Sequence, residues 1–189
     1  MSPASHAHPP SEPSAWVVRH AALLAPGSRV LDLAAGAGRH ARFLASLGHR
    51  VVAIDRDADA LATLAGVANV ETRVLDLESG RWPLAGERFD AIVVANYLHR
   101  PTFPALVAAL SDAGVLLYET FAAGNEAFGR PSRPDFLLAA GELLERVHGR
   151  LAVVSYEEGR IERGDGAAVV QRIAAVGPRY AHPWRLPGG

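Results

Sequence analysis

Short apolar runs alternate with helix-length segments along most of this chain, and that alternation limits the fold more than any other feature. Strands are expected over Arg29–Leu33, residues 50–54, residues 69–75, Phe89–Ala95 and residues 115–120. Helices are expected over residues 15–24, 38–47 and 58–64, and from a Thr102 cap with Pro104 in the first turn. In the first of them Trp16, Val17, Ala21 and Leu24 share one face. Asp57 is placed to cap the third, and Gly48 to end the second. Strands that are apolar throughout are buried on both faces, as in a parallel sheet covered by helices. The expectation is an α/β chain with a Rossmann-like, doubly wound, mostly parallel sheet.

The last third differs. Residues 121–136 read as a long Gly/Pro-containing loop, and residues 137–147 as a helix split near Gly141. Two further strands, 151–156 and 168–174, have only a short connector rich in charge and glycine between them. A parallel crossover needs a dozen or more residues, so a C-terminal antiparallel β-hairpin is expected. One domain over residues 15–177 follows, with a disordered lead at 1–14 and a tail at 178–189.

With 189 residues, 49% of them hydrophobic, the chain is long enough for one full core. Nineteen basic residues against 20 acidic ones leave a net charge of −1, which argues against a dedicated nucleic-acid binder. The chain has no Cys, so thiolate chemistry, disulfides and Cys-ligated zinc are excluded, and no metal site is expected. It also has no Lys, which removes Schiff-base chemistry. No apolar run approaches the ~20 residues of a membrane helix. The opening stretch lacks the charged and apolar regions of a secretory signal, and its His6 and His8 read as part of the disordered lead. A cytoplasmic protein with no membrane partner is expected. No feature sets an oligomeric state.

Three acids stand at the carboxyl ends of the first three strands: Asp32, Asp55 and Asp76. Ligands of open α/β sheets sit at that edge. Between the first two acids runs "AAGAGRHA", whose Gly36 and Gly38 open the way for a ligand near a helix N-terminus. The run also satisfies the degenerate dinucleotide pattern, with Asp55 about 20 residues on. A nicotinamide-dependent oxidoreductase is therefore a competing reading. Asp32 opposes it, because an acid beside the turn repels a pyrophosphate. A ligand with adenine, ribose and a cationic amino-acid tail suits all three acids, and S-adenosylmethionine has those parts.

The stretch "VLDLAAGAGRHARFLASLGHRVVAIDRDADAL" resembles the glycine-rich motif and second-strand acid of the class I S-adenosylmethionine-dependent methyltransferases. "NYLHRP" and "YETFAAGNEAFGRPSRPDFLLAAGELLE" look like their small bacterial tellurite-resistance-type members. The resemblance implies that Gly36 and Gly38 shape the loop under the cofactor. It implies further that Asp32 meets the methionine amino group, Asp55 the ribose hydroxyls, and Asp76 with the Leu77 backbone the adenine. Arg56 is carried along beside Asp55. Asn96 would line the place where donor and acceptor meet, and Ala53, Ile54 and Leu77 would flank the adenine. The chain departs from the motif at Ala34, where the family has glycine; an alanine suits a turn of negative φ.

Methyl transfer from a sulfonium needs alignment and exclusion of water, and a base only where the acceptor must lose a proton. Tyr97 and His99 are the candidate catalytic residues, His99 as a general base. Arg100, Tyr118, Glu119, Phe121 and Asn125 are further acceptor-side candidates. Arg100 serves either an anionic acceptor or an ion pair, and Glu119 either the cleft or an arginine. His40 reads as structural or cofactor-adjacent, and Trp16 as packing or lid. "ANYLHRP" lacks the Asn/Asp-Pro-Pro-aromatic sequence that marks amino-methyltransferases of DNA bases. A small-molecule acceptor is expected. A methyltransferase fold that binds the cofactor without turnover is the third reading.

Overall fold

The computed structural model describes residues 12–163 and 166–181. Its elements in chain order are α1 (Ala15–His20), β1 (Arg29–Leu33), α2 (Arg39–Ser46), β2 (Arg50–Asp55), α3 (Ala58–Ala62), β3 (Val70–Val74), β4 (Phe89–Ala95), α4 (Phe103–Ala109), β5 (Leu110–Phe121), α5 (Glu142–Val147), β6 (Ala152–Arg163) and β7 (Gly166–Val176). The expected lead and tail, with His6 and His8, fall largely outside the described residues.

The strands form one seven-stranded sheet in the order β3-β2-β1-β4-β5-β7-β6. β1 to β5 run parallel, while β7 pairs antiparallel with both β5 and β6. The order reverses between β1 and β4, so a crevice opens beyond their carboxyl ends. Strand alternation sends Leu31, Leu33, Ile92, Val94 and Leu116 to a core with Phe103, Leu106, Leu143 and Val147 of α4 and α5. Val30, Val51, Ala53, Val93 and Leu117 go to the opposite core with Trp16, Val17, Leu44 and Leu61 of α1 to α3.

Local chemistry sets the helix starts. The Asp57 carboxylate accepts from the Asp59 and Ala60 N–H groups, each at 3.0 Å, and so caps α3. Thr102 stands at the cap position of α4 without bonding the helix, because its hydroxyl meets His99 Nδ1 instead. The expected helix over 137–147 is shorter than its pattern. Leu138 bridges Ala122 as extended chain, and Gly141 at φ +71 starts α5.

Two strands exceed their apolar runs. β5 begins at Leu110, with a bulge where Phe89 pairs with Leu110 and Ala91 with Val115. The hairpin is longer than expected: the charged connector is itself strand, pairing residue for residue from Gly159↔Val170 to Arg163↔Gly166. β7 leaves β5 at Val170, so this end of the hairpin is a two-stranded ribbon, exposed at Arg160 and Glu162 of β6 while Ala168 of β7 stays buried. The charged residues of its β6 side explain its lack of an apolar signal.

Candidate active site

Two adjoining cavities lie at the switch point. One, of about 330 Å³, is formed by the β1–α2 turn (residues 34–40) with Ala95 and Asn96. The other, of about 400 Å³, is lined by Ala34, Asp55, Arg56, residues 75–78, residues 96–98, Thr120, Phe121, Pro131 and Phe136. Ala34 and Asn96 face both. They follow the last residues of β1 and β4, and both are left-handed, at φ +56 and +58. The left-handed Ala34 corrects the expectation of a negative φ. The turn keeps the conformation that a glycine would take, and the alanine Cβ bears the strain.

The glycine turn is held from two sides. Gly36 N–H donates to Asp55 Oδ2 at 2.8 Å, and Ala35 N–H to the Ile54 carbonyl at 2.9 Å. Gly38, at φ +74, is packed so closely on the buried Leu64 that a Cβ there would overlap it. Asp55 also accepts from Asp57 N–H at 3.0 Å through Oδ1. Each Asp55 oxygen thus keeps a free lone pair at the cavity wall. Asp76 accepts from Glu78 N–H at 2.8 Å and lines the same cavity, with the side chain of Leu77 beside it.

Asp32 is placed differently. It is 1% exposed, lies in the sheet beneath the turn rather than on a cavity wall, and its Oδ2 has no hydrogen-bond partner among the described residues. Burial pushes its carboxyl up to about 7, against the Ala41 N–H and the Arg39 charge, which favour the ionised form. His40, 3% exposed on α2, accepts from Ser14 N–H at 3.1 Å and reaches the smaller cavity. Ala53 and Ile54 are fully buried core residues and line neither cavity; Leu75, Leu77 and Arg56 are there instead.

On the acceptor side the structure separates the candidates. Tyr97 and Phe121 line the larger cavity. The Tyr97 hydroxyl is buried without a hydrogen-bond partner among the described residues. Burial, with the charges of Glu78 and Asp76, pushes it up to about 12. His99 lines neither cavity and is turned to Thr102. Tyr118 is buried and donates to the Tyr97 carbonyl at 2.8 Å. Asn125 staples the long loop, donating to the Pro131 carbonyl at 2.9 Å and accepting from Val169 N–H at 3.1 Å. Glu119 meets an arginine: Arg172 Nε lies 2.7 Å from its Oε2, a charge contact without hydrogen-bond alignment.

Arg100 is committed to structure. Its guanidinium makes two 2.8 Å bonds to Glu142 and donates to the carbonyls of Asp135 and Leu137 at 2.9 and 2.8 Å. The clamp fixes the turn between those carbonyls, and that turn carries Phe136 to the cavity. Burial alone would raise the Glu142 carboxyl, but bonds from Arg100, Ala139 N–H and Arg146 hold it at about 2. Pro131 and Phe136 are wall residues that sequence reading did not single out within their long loop. An aromatic inside a Gly/Pro loop carries no periodic signal. Trp16 is 1% exposed and packs under Arg172, so α1 is a packing helix. Among the described residues no cluster of His, Asp or Glu is arranged to hold a metal, and no helix is long and apolar enough to cross a membrane.

Residues 30–118 match the methyltransferase domain family. Over 82 residues the chain is 46% identical to protein-L-isoaspartate O-methyltransferase of Methylorubrum populi, covering 40% of this chain and 37% of that protein. The match thus spans little more than a third of the curated relative. Among solved structures the fold is similar to TehB from Haemophilus influenzae, with TM-score 0.71, 23% identity, and coverage of 85% of this chain and 61% of that one. It is also similar to Burkholderia thailandensis 1,6-didemethyltoxoflavin-N1-methyltransferase, whose structure holds 1,6-didemethyltoxoflavin and S-adenosylhomocysteine. There the TM-score is 0.65 and the identity 22%, over 86% of this chain and 76% of that one.

Proposed function

We propose that this chain, which has the fold of the class I S-adenosylmethionine-dependent methyltransferases, transfers a methyl group from S-adenosylmethionine to a small-molecule acceptor in the cytoplasm. The observation that carries the reading is the pair of carboxylates, Asp55 and Asp76, facing one cavity beside a left-handed glycine turn. The residues fit the cofactor. Asp55 has free lone pairs for ribose hydroxyls, and Asp76 with Leu77 suits an adenine edge. Asp32 holds an orphaned carboxylate oxygen under the turn where a cationic amino group is to be satisfied, directly or through water. Gly36 and Gly38 keep the turn open, with Ala34, Arg56 and Asn96 along its rim. When bound, the cofactor supplies a methyl group already activated on a sulfonium. The protein's own part is to bind, align and exclude water. Tyr97 stands at the acceptor side as a neutral donor, and His99 supports the Thr102 turn beside it.

Calorimetry on one sample with S-adenosylmethionine, S-adenosylhomocysteine and NAD tests the reading. The first two bind and the third does not. Asp55→Ala lowers adenosyl-ligand affinity by roughly 10- to 100-fold, since a hydrogen bond to a charged group contributes about 1.5–3 kcal/mol. Binding of NAD alone, or an Asp55→Ala variant that binds like wild type, overturns it. Turnover is read separately from labelled methyl transfer.

A further inference from the structure

Three residues that wall the larger cavity after β4 and β5, namely Tyr97, Pro131 and Phe136, belong to no strand or α-helix. Strand pairing does not fix them, and each is held by a polar side chain that donates to main chain. The Tyr118 hydroxyl donates to the carbonyl of Tyr97 at 2.8 Å. Asn125 Nδ2 donates to the carbonyl of Pro131 at 2.9 Å. Arg100 donates to the carbonyls on either side of Phe136, those of Asp135 and Leu137, at 2.9 and 2.8 Å. The donors are themselves fixed. Tyr118 is 2% exposed on β5, against the Phe103 ring. Asn125 is 2% exposed and accepts from Val169 N–H of β7. Glu142 holds the other edge of the Arg100 guanidinium through two bonds. The root of the loop is closed as well, by Leu138 N–H on the Phe121 carbonyl at 3.0 Å and Ala123 N–H on the Leu138 carbonyl at 2.9 Å. None of the three donors lines either cavity.

We infer that Arg100, Tyr118 and Asn125 are positioning residues: from outside the cavity they hold a preformed acceptor wall, and so set which molecules fit against it. The inference rests on the methyl-transfer reading above and locates the acceptor selectivity of that site. A wall that is ordered before the acceptor arrives adds no ordering cost to binding. It also confines the acceptor to one alignment with the methyl group, which is the protein's main contribution to such a transfer. An acceptor of the wrong outline meets main chain that cannot step aside without giving up these bonds. The donors act on carbonyls, so the path of the wall is set separately from the side chains it displays.

The test is fluorine NMR on protein saturated with S-adenosylhomocysteine, with 4-fluorophenylalanine in one sample and 3-fluorotyrosine in another. Six phenylalanines and four tyrosines keep the spectra assignable. Arg100→Lys keeps a cation beside Glu142 but loses the fork that spans two carbonyls, and Glu142 retains Arg146 and the Ala139 N–H. It moves the Phe136 line toward its unfolded position by at least a quarter of the folded-to-unfolded difference. Tyr118→Phe deletes a single hydroxyl and moves the Tyr97 line by a similar fraction. Asn125→Ala speeds hydrogen exchange at least fivefold at the Phe128 and Gly129 amides, which bond to the carbonyl of residue 125 ahead of Pro131. In all three variants the Phe89 line, from the buried sheet, and the Tyr180 line, from a hydroxyl bonded to the Leu23 carbonyl, stay in place. S-adenosylhomocysteine affinity stays within twofold of wild type. A Phe136 line, Tyr97 line or amide exchange rate that keeps its wild-type value overturns the inference. So do Phe89 and Tyr180 lines that move along with the wall, since the variants then merely loosen the fold. Failure of S-adenosylhomocysteine to bind the wild-type protein overturns the underlying reading instead.

Discussion

At the scale of single residues, the glycine turn carries costs that its cavity explains. Ala34 at φ +56 bears a left-handed conformation disfavoured by about 1–2 kcal/mol for a residue with a Cβ. Ala34→Gly is expected to stabilise the protein by about 1 kcal/mol, less the backbone entropy glycine loses, and to raise Tm by roughly 2–4 °C in a thermal melt. Gly38→Ala acts oppositely, because both its φ and the buried Leu64 stand against a methyl group. It should cost on the order of 1–3 kcal/mol and weaken cofactor binding. Asp32 presents a second cost. Its folded pKa, about 7, lies above the unfolded value of 3.8, so the folded state holds its proton longer. Stability therefore falls as pH rises from about 4 to 7, and the deficit stays above that. Asp32→Asn is expected to be more stable than wild type at pH 8, by on the order of 2 kcal/mol, to lose that gain near pH 4, and to bind the adenosyl ligand less well. Denaturant melts at both pH values check it. The acids Asp55 and Asp76 were legible because strand ends are legible. The sign of φ at Ala34 was not, because it is set by the packing of the turn against β2 and α3.

At the scale of elements, strands were read better than their connections. β1 and β4 stand where their apolar runs place them, because burial on both faces leaves an unbroken apolar signature. The ribbon end of β6 and β7 carries no such signature, since its β6 strand is charged and exposed at Arg160 and Glu162. The segment 137–141 departs from the helix expectation, because Gly141 and the Arg100 clamp together override the pattern of Leu137 and Leu138. That clamp has its own pH dependence. Glu142 ionises at about 2 in the folded protein, below its unfolded value of 4.5. Its contribution is complete above about pH 4.5 and is lost as pH falls toward 2. Arg100→Ala should therefore shrink the acid-side loss of stability, release the Phe136 turn, and increase amide exchange over residues 134–139. The cofactor half, fixed by β1 to β3, should keep its affinity.

At the scale of the whole molecule, the sheet divides the labour between its ends. The ends of the parallel strands and the loops that follow them line both cavities, and the antiparallel strands β6 and β7 anchor α1. That anchor is a charged stack: Arg172 lies between Glu119 and Glu157 with the Trp16 ring 5.9 Å away, and Arg19 reaches Glu157 at 2.7 Å. Breaking it from the buried end leaves the Arg172 charge with only the half-exposed Glu157, 3.4 Å away. Glu119→Ala is expected to cost about 3–5 kcal/mol in urea melts, far more than Arg19→Ala, whose partner is open to water. The doubly wound order was readable from the alternation of strands and helices. The docking of α1 was not, because no local pattern states which distant strand a helix will meet.

The same docking has a temporal side. The Trp16 indole donates at 3.3 Å to the carbonyl of Ile173, a residue 157 positions later. On a ribosome adding about 5–20 residues per second, α1 emerges roughly eight to thirty seconds before the strand that receives it. Until then the Trp16 indole lacks its carbonyl acceptor, and the apolar face of Trp16 and Val17 has only the strands up to β5 to cover. Nascent chains halted before β7 should thus present this helix to chaperones, and release it only when the last strand is threaded between β5 and β6.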